Sequence, residues 1–192
     1  MIIPGYKIKN AENYIRAGVI PYIVNKGRLY ILLARDRKTM EICDFGGGVK
    51  KYENCFEGAL REFNEETCGI FSKEIDVDDL KYSIAVCNSK NTHVIFFVRI
   101  NPDWYYFAIN KFHKTIKYTT KLEKLENDTI FWVEHDDFIR LFQDTKSKKV
   151  WFYFKRFIVS HGNGIHTFFK QLLLLKHSKV ENLKKSIQVN SI

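Results

Sequence analysis

The sequence has little of what marks secreted, zinc-binding or membrane proteins. It contains three prolines and four cysteines in 192 residues, and the cysteines form neither a C-x-x-C pair nor a Cys/His zinc pattern. No apolar run approaches the roughly eighteen residues that a membrane helix needs, and the first ten residues lack the apolar core of a signal peptide. We therefore expect free thiols at Cys43, Cys55, Cys68 and Cys87, no membrane partner, and a soluble, intracellular protein of the cytoplasm.

Internal repeats are also absent, as is any linker long enough to separate two domains. Hydrophobic residues make up 45% of the chain, with 16 Phe, 10 Tyr and 3 Trp, which excludes disorder as a description of the whole. The length fits one domain with a substantial core. The formal net charge of +9 favours polyphosphates or nucleic acid as partners, although a solvated basic surface explains the charge equally well.

The most informative stretch is residues 46–69, GGGVKKYENCFEGALREFNEETCG, a glycine-rich segment followed by an amphipathic helix. Its apolar positions recur at the spacing of one buried stripe and are Phe56, Ala59, Leu60, Phe63 and Thr67. On the opposite side, Glu65 and Glu66 follow Glu62 by three and four residues, and like charges at these spacings disfavour a helix by a few tenths of a kcal/mol per pair, roughly. A divalent cation that prefers oxygen ligands, Mg²⁺ or Mn²⁺, would neutralise the repulsion between these carboxylates. A solvated acidic helix face is the alternative interpretation.

The spacing of this stretch resembles the Nudix box, the signature of hydrolases that cleave a diphosphate joined to another moiety, typically a nucleoside. The matching positions are Gly47, Glu53, Arg61, Glu62, the apolar Phe63, Glu65 and Glu66, within the stretch that ends at Gly69. The chain departs from the pattern at Cys68, where the family usually has glycine, and Gly69 is expected to close the helix instead. The resemblance implies an α+β fold, a Nudix-type α/β/α sandwich with a mixed central sheet, a box that forms loop, helix and loop, and C-terminal helices.

The resemblance also implies a metal site and its ligands. Glu62, Glu65 and Glu66 would bind one to three Mg²⁺ or Mn²⁺ ions, helped by the backbone carbonyl of Gly46. Arg61 would orient the glutamates through charge-assisted hydrogen bonds, and Glu53 would steady the loop and the start of the helix.

The general base is less closely defined by the resemblance. Either Glu62 or an acid in the loop before a later Trp-containing strand would take the proton from the attacking water. Glu126 is the best match for the loop acid by its distance from Trp132, with Glu123 and Asp128 as competitors.

The rest of the chain predicts a domain of residues 14–146 between a lead-in (1–13) and a helical extension (147–192) packed on the same domain. Predicted strands cover residues 17–24, 29–34, 41–45, 82–86, 93–100 and 129–133. Gly46 to Gly48 are expected to form a turn, in which glycine lets the backbone approach a cation or phosphate closely and adopt positive φ. Residues 75–80 predict a loop or strand start, and residues 101–128 show weak periodicity.

Towards the C-terminus we expect a short helix at 136–142 and two further helices at 148–160 and 165–185. The division falls at the turn-like sequence His161-Gly162-Asn163-Gly164. His161 and His166 would then be turn and helix-start residues.

Candidate substrate contacts are Arg35 and the aromatic residues Trp104, Tyr105 and Tyr106. Aromatic rings between basic residues can stack on a base while the cations meet phosphates. Core or loop anchoring is the commoner role of such rings.

The box defines the reaction and not the leaving group. The broad expectation is a nucleotide-type diphosphate substrate. A narrower one is the 5′ cap of mRNA, as in viral-type Nudix decapping enzymes, with RNA as a partner. A non-catalytic Nudix-fold module that binds nucleotide or RNA is an alternative, although such modules commonly lose box carboxylates and here all are present. A basic RNA-binding protein with an incidental acidic helix is a third hypothesis. Dimers are frequent in the family.

Overall fold

The computed structural model describes residues 1–118, 125–143 and 149–174. Within these ranges, eight strands form one mixed sheet between two helical layers, which confirms the predicted α+β class. The sheet order is β1-β6-β7-β2-β3-β4, with β5 paired to β2 and β8 paired to β3. The strands are β1 (Ile2–Pro4), β2 (Arg16–Asn25), β3 (Arg28–Asp36), β4 (Ile42–Cys43), β5 (Phe45–Gly48), β6 (Ile84–Cys87), β7 (His93–Arg99) and β8 (Asn127–Glu134).

The centre of the sheet is β2, which pairs antiparallel with β3 and parallel with β7. Successive side chains of a strand point to opposite faces, so β2 serves two cores at once. Ala17 and Val19 enter the core on one face, whereas Ile20 and Tyr22 enter the core on the other. This continuous apolar run is the reason that the sequence predicts the strand well.

Helices cover both faces. The first layer consists of α1 (Cys55–Glu66), α2 (Val77–Tyr82) and α3 (Trp104–Lys117), and the second of α4 (His135–Gln143) and α5 (Phe152–Leu174). Phe63 and Phe112 anchor the first layer, and Phe138 and Phe169 anchor the second. None of the helices in the described ranges combines the length and apolar character of a bilayer-spanning segment. All four cysteines are described, and all are free.

The helix α1 begins at a capping box. The side chain of Asn54 accepts hydrogen bonds from the backbone N–H groups of Phe56 and Glu57, and the Glu57 carboxylate accepts from the Asn54 N–H. The helix ends where Cys68 and Gly69 take left-handed conformations, with φ of 55° and 68°. The Gly69 N–H donates to the Asn64 carbonyl at 2.7 Å, the bond that closes a Schellman motif. Cys68 thus adopts a left-handed conformation, which glycine takes more readily than other residues.

Alanine substitutions are expected to have opposite effects on stability at Gly69, which follows α1, and at Gly162, inside α5. A Cβ on Gly69 would meet no atom within 4 Å, so Gly69→Ala should lower the free energy of unfolding by about 1 kcal/mol through its positive φ alone. Gly162 lies inside α5, also with open space, so Gly162→Ala should raise it by about 1 kcal/mol. Chemical denaturation of both variants measures this, and equal shifts of the same sign would contradict the helix-end geometry.

The expectation of a glycine turn was wrong. Gly46 to Gly48 lie in β5, antiparallel to β2, and none of them has a positive φ. Gly46 allows the backbones of β5 and β2 to approach each other closely, because a Cβ on Gly46 would collide with the backbone of Gly18. The lead-in also differs from expectation, since it contributes β1, which pairs with β6.

Two helices were missed. Residues 75–80 contain most of α2, whose capping box between Asp76 and Asp79 is a sequence signal for a helix start. The weakly periodic region contains α3. Its inward residues do follow helical spacing and are Tyr105, Ala108, Ile109, Phe112 and Ile116. Aromatic residues on the outward face obscured this pattern.

The predicted break in the tail was also wrong, because α5 runs without interruption from Phe152 to Leu174. Gly164 lets Ile2 pack closely against the helix, where a Cβ would collide with it. His161 and His166 therefore lie within the helix, and His166 stacks on His135 with ring centroids 5.0 Å apart. The part of the prediction beyond residue 174 lies outside the described residues.

Candidate functional site

The site is built around Arg61 on α1. Its guanidinium donates to both carboxylate oxygens of Glu53, at 2.7 and 3.0 Å, and to the Gly48 carbonyl at 2.8 Å. It also donates to Glu62 at 2.7 Å and to Glu65 at 3.3 Å. One cation therefore joins the end of β5, the following loop and the acidic side of the helix.

This arrangement explains the charge state of Glu53. The two hydrogen bonds from Arg61, with a third from the Lys50 N–H at 3.0 Å, hold the pKa of Glu53 at about 2, well below its usual range. The same contacts raise the pKa of Arg61. Bidentate, charge-assisted pairs of this kind fix the relative orientation of the two side chains as well as their charge states.

The carboxylate of Glu66 lies half-buried at the end of α1, away from the Arg61 guanidinium's partners. Burial raises its pKa well above the usual value, and the nearby carboxylates of Asp44 and Glu126 raise it further. Asn127, at the start of β8, donates to Glu66 at 3.3 Å. Glu66 is therefore not a solvated residue of the helix surface, since Asp44 and Asn127, both outside the box, lie beside it.

Arg16 and Asp44 belong to this site, although sequence reasoning missed both. The buried Asp44 carboxylate accepts two hydrogen bonds from Arg16, at 2.8 and 2.9 Å. Arg16 also donates to the Gly46 carbonyl at 3.1 Å and lies over the ring of Trp151, 5.0 Å from its centroid. The available signal was an acid inside an apolar strand sequence, Ile42-Cys43-Asp44-Phe45, because a buried charge requires a partner.

A cleft of about 130 Å³ lies among these groups. Five carboxylates line it, against the single cation of Arg16 among the described residues: Asp36, Glu41, Asp44, Glu66 and Glu126. The Gly46 carbonyl and Asn127 complete the polar lining. The cleft is therefore strongly acidic within a protein of net charge +9.

The structure brings some predicted site residues together and separates others. Gly46, Glu66 and Glu126 share the cleft. Glu53 and Glu62 lie with Arg61, and the Glu65 side chain is 60% exposed. Within the described ranges, no three Asp, Glu, His or Cys side chains lie together as a ready ligand set for a metal ion.

The competing loop acids are now distinguished in part. Asp128 is occupied by Arg35, which donates to both its oxygens at 3.0 Å, whereas Glu126 faces the cleft. Glu123 lies outside the described residues. Arg35 lies on β3, the strand that pairs with β8, and its guanidinium is held by Asp128.

The aromatic candidates are divided between core and surface. Trp104 packs on Phe71, and Tyr105 packs on Tyr30, with ring centroids 4.4 and 4.7 Å apart. Tyr106 is exposed, and its hydroxyl accepts a hydrogen bond from Asn25 at 3.4 Å. The commoner role as core anchors therefore describes Trp104 and Tyr105.

Gly47 is fitted to Glu62. A Cβ at Gly47 would lie 2.5 Å from the carboxyl carbon of Glu62, whereas a Cβ at Gly48 would meet its first atom only at 4.0 Å. We expect Gly47→Ala to displace the Glu62 carboxylate and to lower turnover in the hydrolysis proposed below by about tenfold to a hundredfold, with little change in thermal stability. Gly48→Ala is the matched control and should keep wild-type turnover. Equal turnover in the two variants would contradict a role for the position of Glu62.

Neither a family model nor a curated protein matches the chain. Several solved structures are similar to it. A mutT/nudix family protein from Listeria innocua has 14% identity and a TM-score of 0.47, over 87% of this chain and 100% of that one. An Ap4A hydrolase from C. elegans, in a binary complex, has 17% identity and a TM-score of 0.42, over 78% and 97% of the two chains. A MutT/nudix family protein from Enterococcus faecalis has 14% identity and a TM-score of 0.37, over 67% and 46%. We therefore base the function on the chain's own residues.

Proposed function

We propose that the protein is a Nudix-type hydrolase that cleaves a diphosphate linkage in a nucleoside diphosphate derivative, with water attacking phosphorus and Mg²⁺ or Mn²⁺ as cofactor. The observation that carries the proposal is the network of Arg61, which holds Glu53, Glu62 and Glu65 in one arrangement. A metal site with the spacing of this motif requires an arginine that orients the glutamates. A solvated acidic helix face would not require one. Glu66 and Glu126 lie in the adjoining cleft.

The donor set fits a hard divalent cation. Its atoms are carboxylate oxygens and a backbone carbonyl, the ligands that Mg²⁺ and Mn²⁺ prefer. Burial raises the pKa of Glu66, and the neighbouring carboxylates of Asp44 and Glu126 raise it further; a bound cation would offset the charge of these carboxylates. The Gly46 carbonyl has a second lone pair beyond its hydrogen bond from Arg16, so it remains able to act as a ligand.

Bound metal ions would neutralise the diphosphate and lower the pKa of a bound water. Glu62, Glu65 and Glu66 would hold them with the Gly46 carbonyl. Arg61 would position the glutamates, and Glu53 would in turn hold Arg61. In this arrangement Arg61 orients Glu62 and Glu65, whereas Asn127 contacts Glu66 and Arg16 contacts the Gly46 carbonyl.

We assign proton abstraction to Glu126 in preference to Glu62. The Glu62 carboxylate is occupied by Arg61 at 2.7 Å, whereas Glu126 lines the cleft beside Glu66. Arg35, whose side chain is 39% exposed, and Tyr106, on the surface of α3, would contact parts of the substrate outside the cleft. A non-catalytic binding module is disfavoured because all the acidic residues of the box are present and Arg61 holds three of them, Glu53, Glu62 and Glu65.

The experiment is product release from a panel of diphosphates in Mg²⁺ or Mn²⁺. The panel includes ADP-ribose, nucleoside triphosphates, dinucleoside polyphosphates and capped RNA, with Glu66→Gln as the control protein. Cleavage of one class that is lost in Glu66→Gln supports the hydrolase and identifies its leaving group. Binding of nucleotides without cleavage of any compound would favour a binding module instead.

A further inference from the structure

We propose that the outward face of α3 binds single-stranded nucleic acid and leads it to the acidic cleft. This face, the α3 track, consists of Phe107, Lys111, Lys114, Lys117 and Tyr118. The binding surface is argued from its own residues, but its link to substrate choice rests on the proposed hydrolase function. The diphosphate to be cleaved would then sit at the 5′ end of the bound strand.

The track follows one stripe of the helix. Its members recur at the three- and four-residue spacing of neighbouring positions on a helical surface. Phe107 is 61% exposed and Tyr118 72% exposed, while Ala108 and Phe112 on the other side are fully buried. The exposed rings therefore contribute nothing to the core.

A shallow groove runs along the start of the track. It has a volume of about 460 Å³, and its walls include Trp104, Phe107, Lys111 and Lys114. Lys111 is held in place, because its ammonium lies 4.8 Å from the centroid of the Trp104 ring and donates to the Ile70 carbonyl at 3.3 Å. The groove thus offers aromatic surface and fixed positive charge side by side.

The charge of the helix is of one sign. Residues 104–118 contain three lysines and His113 but no aspartate or glutamate. Among the described residues, Asp103 precedes the helix and lines the groove, and Glu74 accepts a hydrogen bond from the Asn101 N–H at the same end. The three lysines lie in the later turns of the helix.

Two contacts join the track to the candidate site. The bond from Lys111 to Ile70 places α3 beside the segment that follows α1, four residues beyond Glu66. His113 lies 3.4 Å from the Thr129 hydroxyl, in the strand whose Asn127 donates to Glu66. A strand bound along α3 would therefore pass the edge of the cleft.

The combination favours nucleic acid over other anionic partners. Bases stack on aromatic rings while lysines neutralise phosphates, and both features are needed only by a single strand. An acidic peptide would use the lysines alone. A membrane surface would require a continuous apolar face, whereas here lysines separate Phe107 from Tyr118.

The test is fluorescence anisotropy of a labelled, unstructured RNA of twelve nucleotides, in chelator so that no cleavage occurs. Lys114→Ala/Lys117→Ala should weaken binding by about tenfold and lower the slope of log affinity against log salt by about 1.4, since each phosphate contact on a single strand contributes about 0.7. Phe107→Ala should weaken binding at least about fivefold and leave the slope unchanged. The matched control is Arg156→Ala/Lys170→Ala, which removes the same charge from α5 on the opposite face of the sheet.

Equal weakening in the two double variants would overturn the proposal, because the binding would then reflect net charge alone. Polyglutamate of similar length that competes as well as RNA, with no effect of Phe107→Ala, would overturn it in favour of a plain cationic surface. The binding result is independent of turnover. An active hydrolase that does not bind RNA would contradict the α3-track proposal alone. RNA binding that depends on the track, without cleavage of any diphosphate, would contradict the proposed hydrolase function alone.

Discussion

Replacing Glu66 by glutamine is expected to lower turnover by about a thousandfold without lowering the free energy of unfolding at pH 7. Glutamine keeps the shape of the side chain but removes the negative charge that would bind a cation. It also removes the cost of burying a charged carboxylate and the repulsion from Asp44 and Glu126, which together raise the pKa of Glu66. Steady-state kinetics and chemical denaturation of the same preparations measure both effects.

The pH dependence of stability gives a separate check. The folded-state pKa of Glu66 lies above its ordinary value, so the neutral form stabilises the fold at low pH, and this contribution is lost as the pH rises through the folded-state pKa. Glutamine does not ionise, so the stability of the variant relative to wild type should increase as the pH is raised. Glu134→Gln, at the far end of β8, is the control and should leave turnover unchanged. A Glu66→Gln protein with full activity would contradict the assignment.

Replacing Arg61 by lysine should lower turnover by up to about a hundredfold and weaken the fold. A lysine ammonium can reach one carboxylate, but it cannot donate to both oxygens of Glu53 while also holding Glu62 and the Gly48 carbonyl. Arg140→Lys is the matched control, because its pair with Asp137 is exposed on both sides and should contribute little. Kinetics and unfolding of both variants make the comparison.

The stability difference between wild type and Arg61→Lys should depend on pH in a defined direction. The pKa of Glu53 is about 2 in the fold, so its pairing stabilises the protein above the ordinary value of 4.5 and is lost as the pH falls towards 2. The two proteins should therefore differ most above about pH 4.5 and converge on acidification. A difference that is constant with pH would mean that Arg61 acts through packing and not through Glu53.

The sequence predicted those parts of the site that are local. The spacing of Arg61, Glu62 and Glu65 along one helix follows from helical geometry, and the structure shows them in contact. The surroundings of Glu66 could not be predicted, because Asp44, between β4 and β5, and Asn127, at the start of β8, are both distant from it in sequence. Arg16 was missed for the same reason, since its partner lies 28 residues away in the chain.

Errors in the fold also have physical causes. In α3 the inward stripe was hidden because Tyr106, Phe107 and Tyr118 place apolar rings on the outward face as well. In α5 two glycines cost about 1 kcal/mol each in helix propensity, yet packing of Phe154, Ile158, Ile165 and Phe169 on the sheet keeps the helix continuous. Tertiary contacts thus override local preference at both places.

The most direct test of the central claim is turnover of a cleaved diphosphate after removal and return of the metal. Protein treated with chelator should be inactive, and Mg²⁺ or Mn²⁺ should restore cleavage to the wild type but not to Glu66→Gln. Cleavage that persists in chelator, or that returns equally in the glutamine variant, would contradict a hydrolase whose cation is held at Glu66.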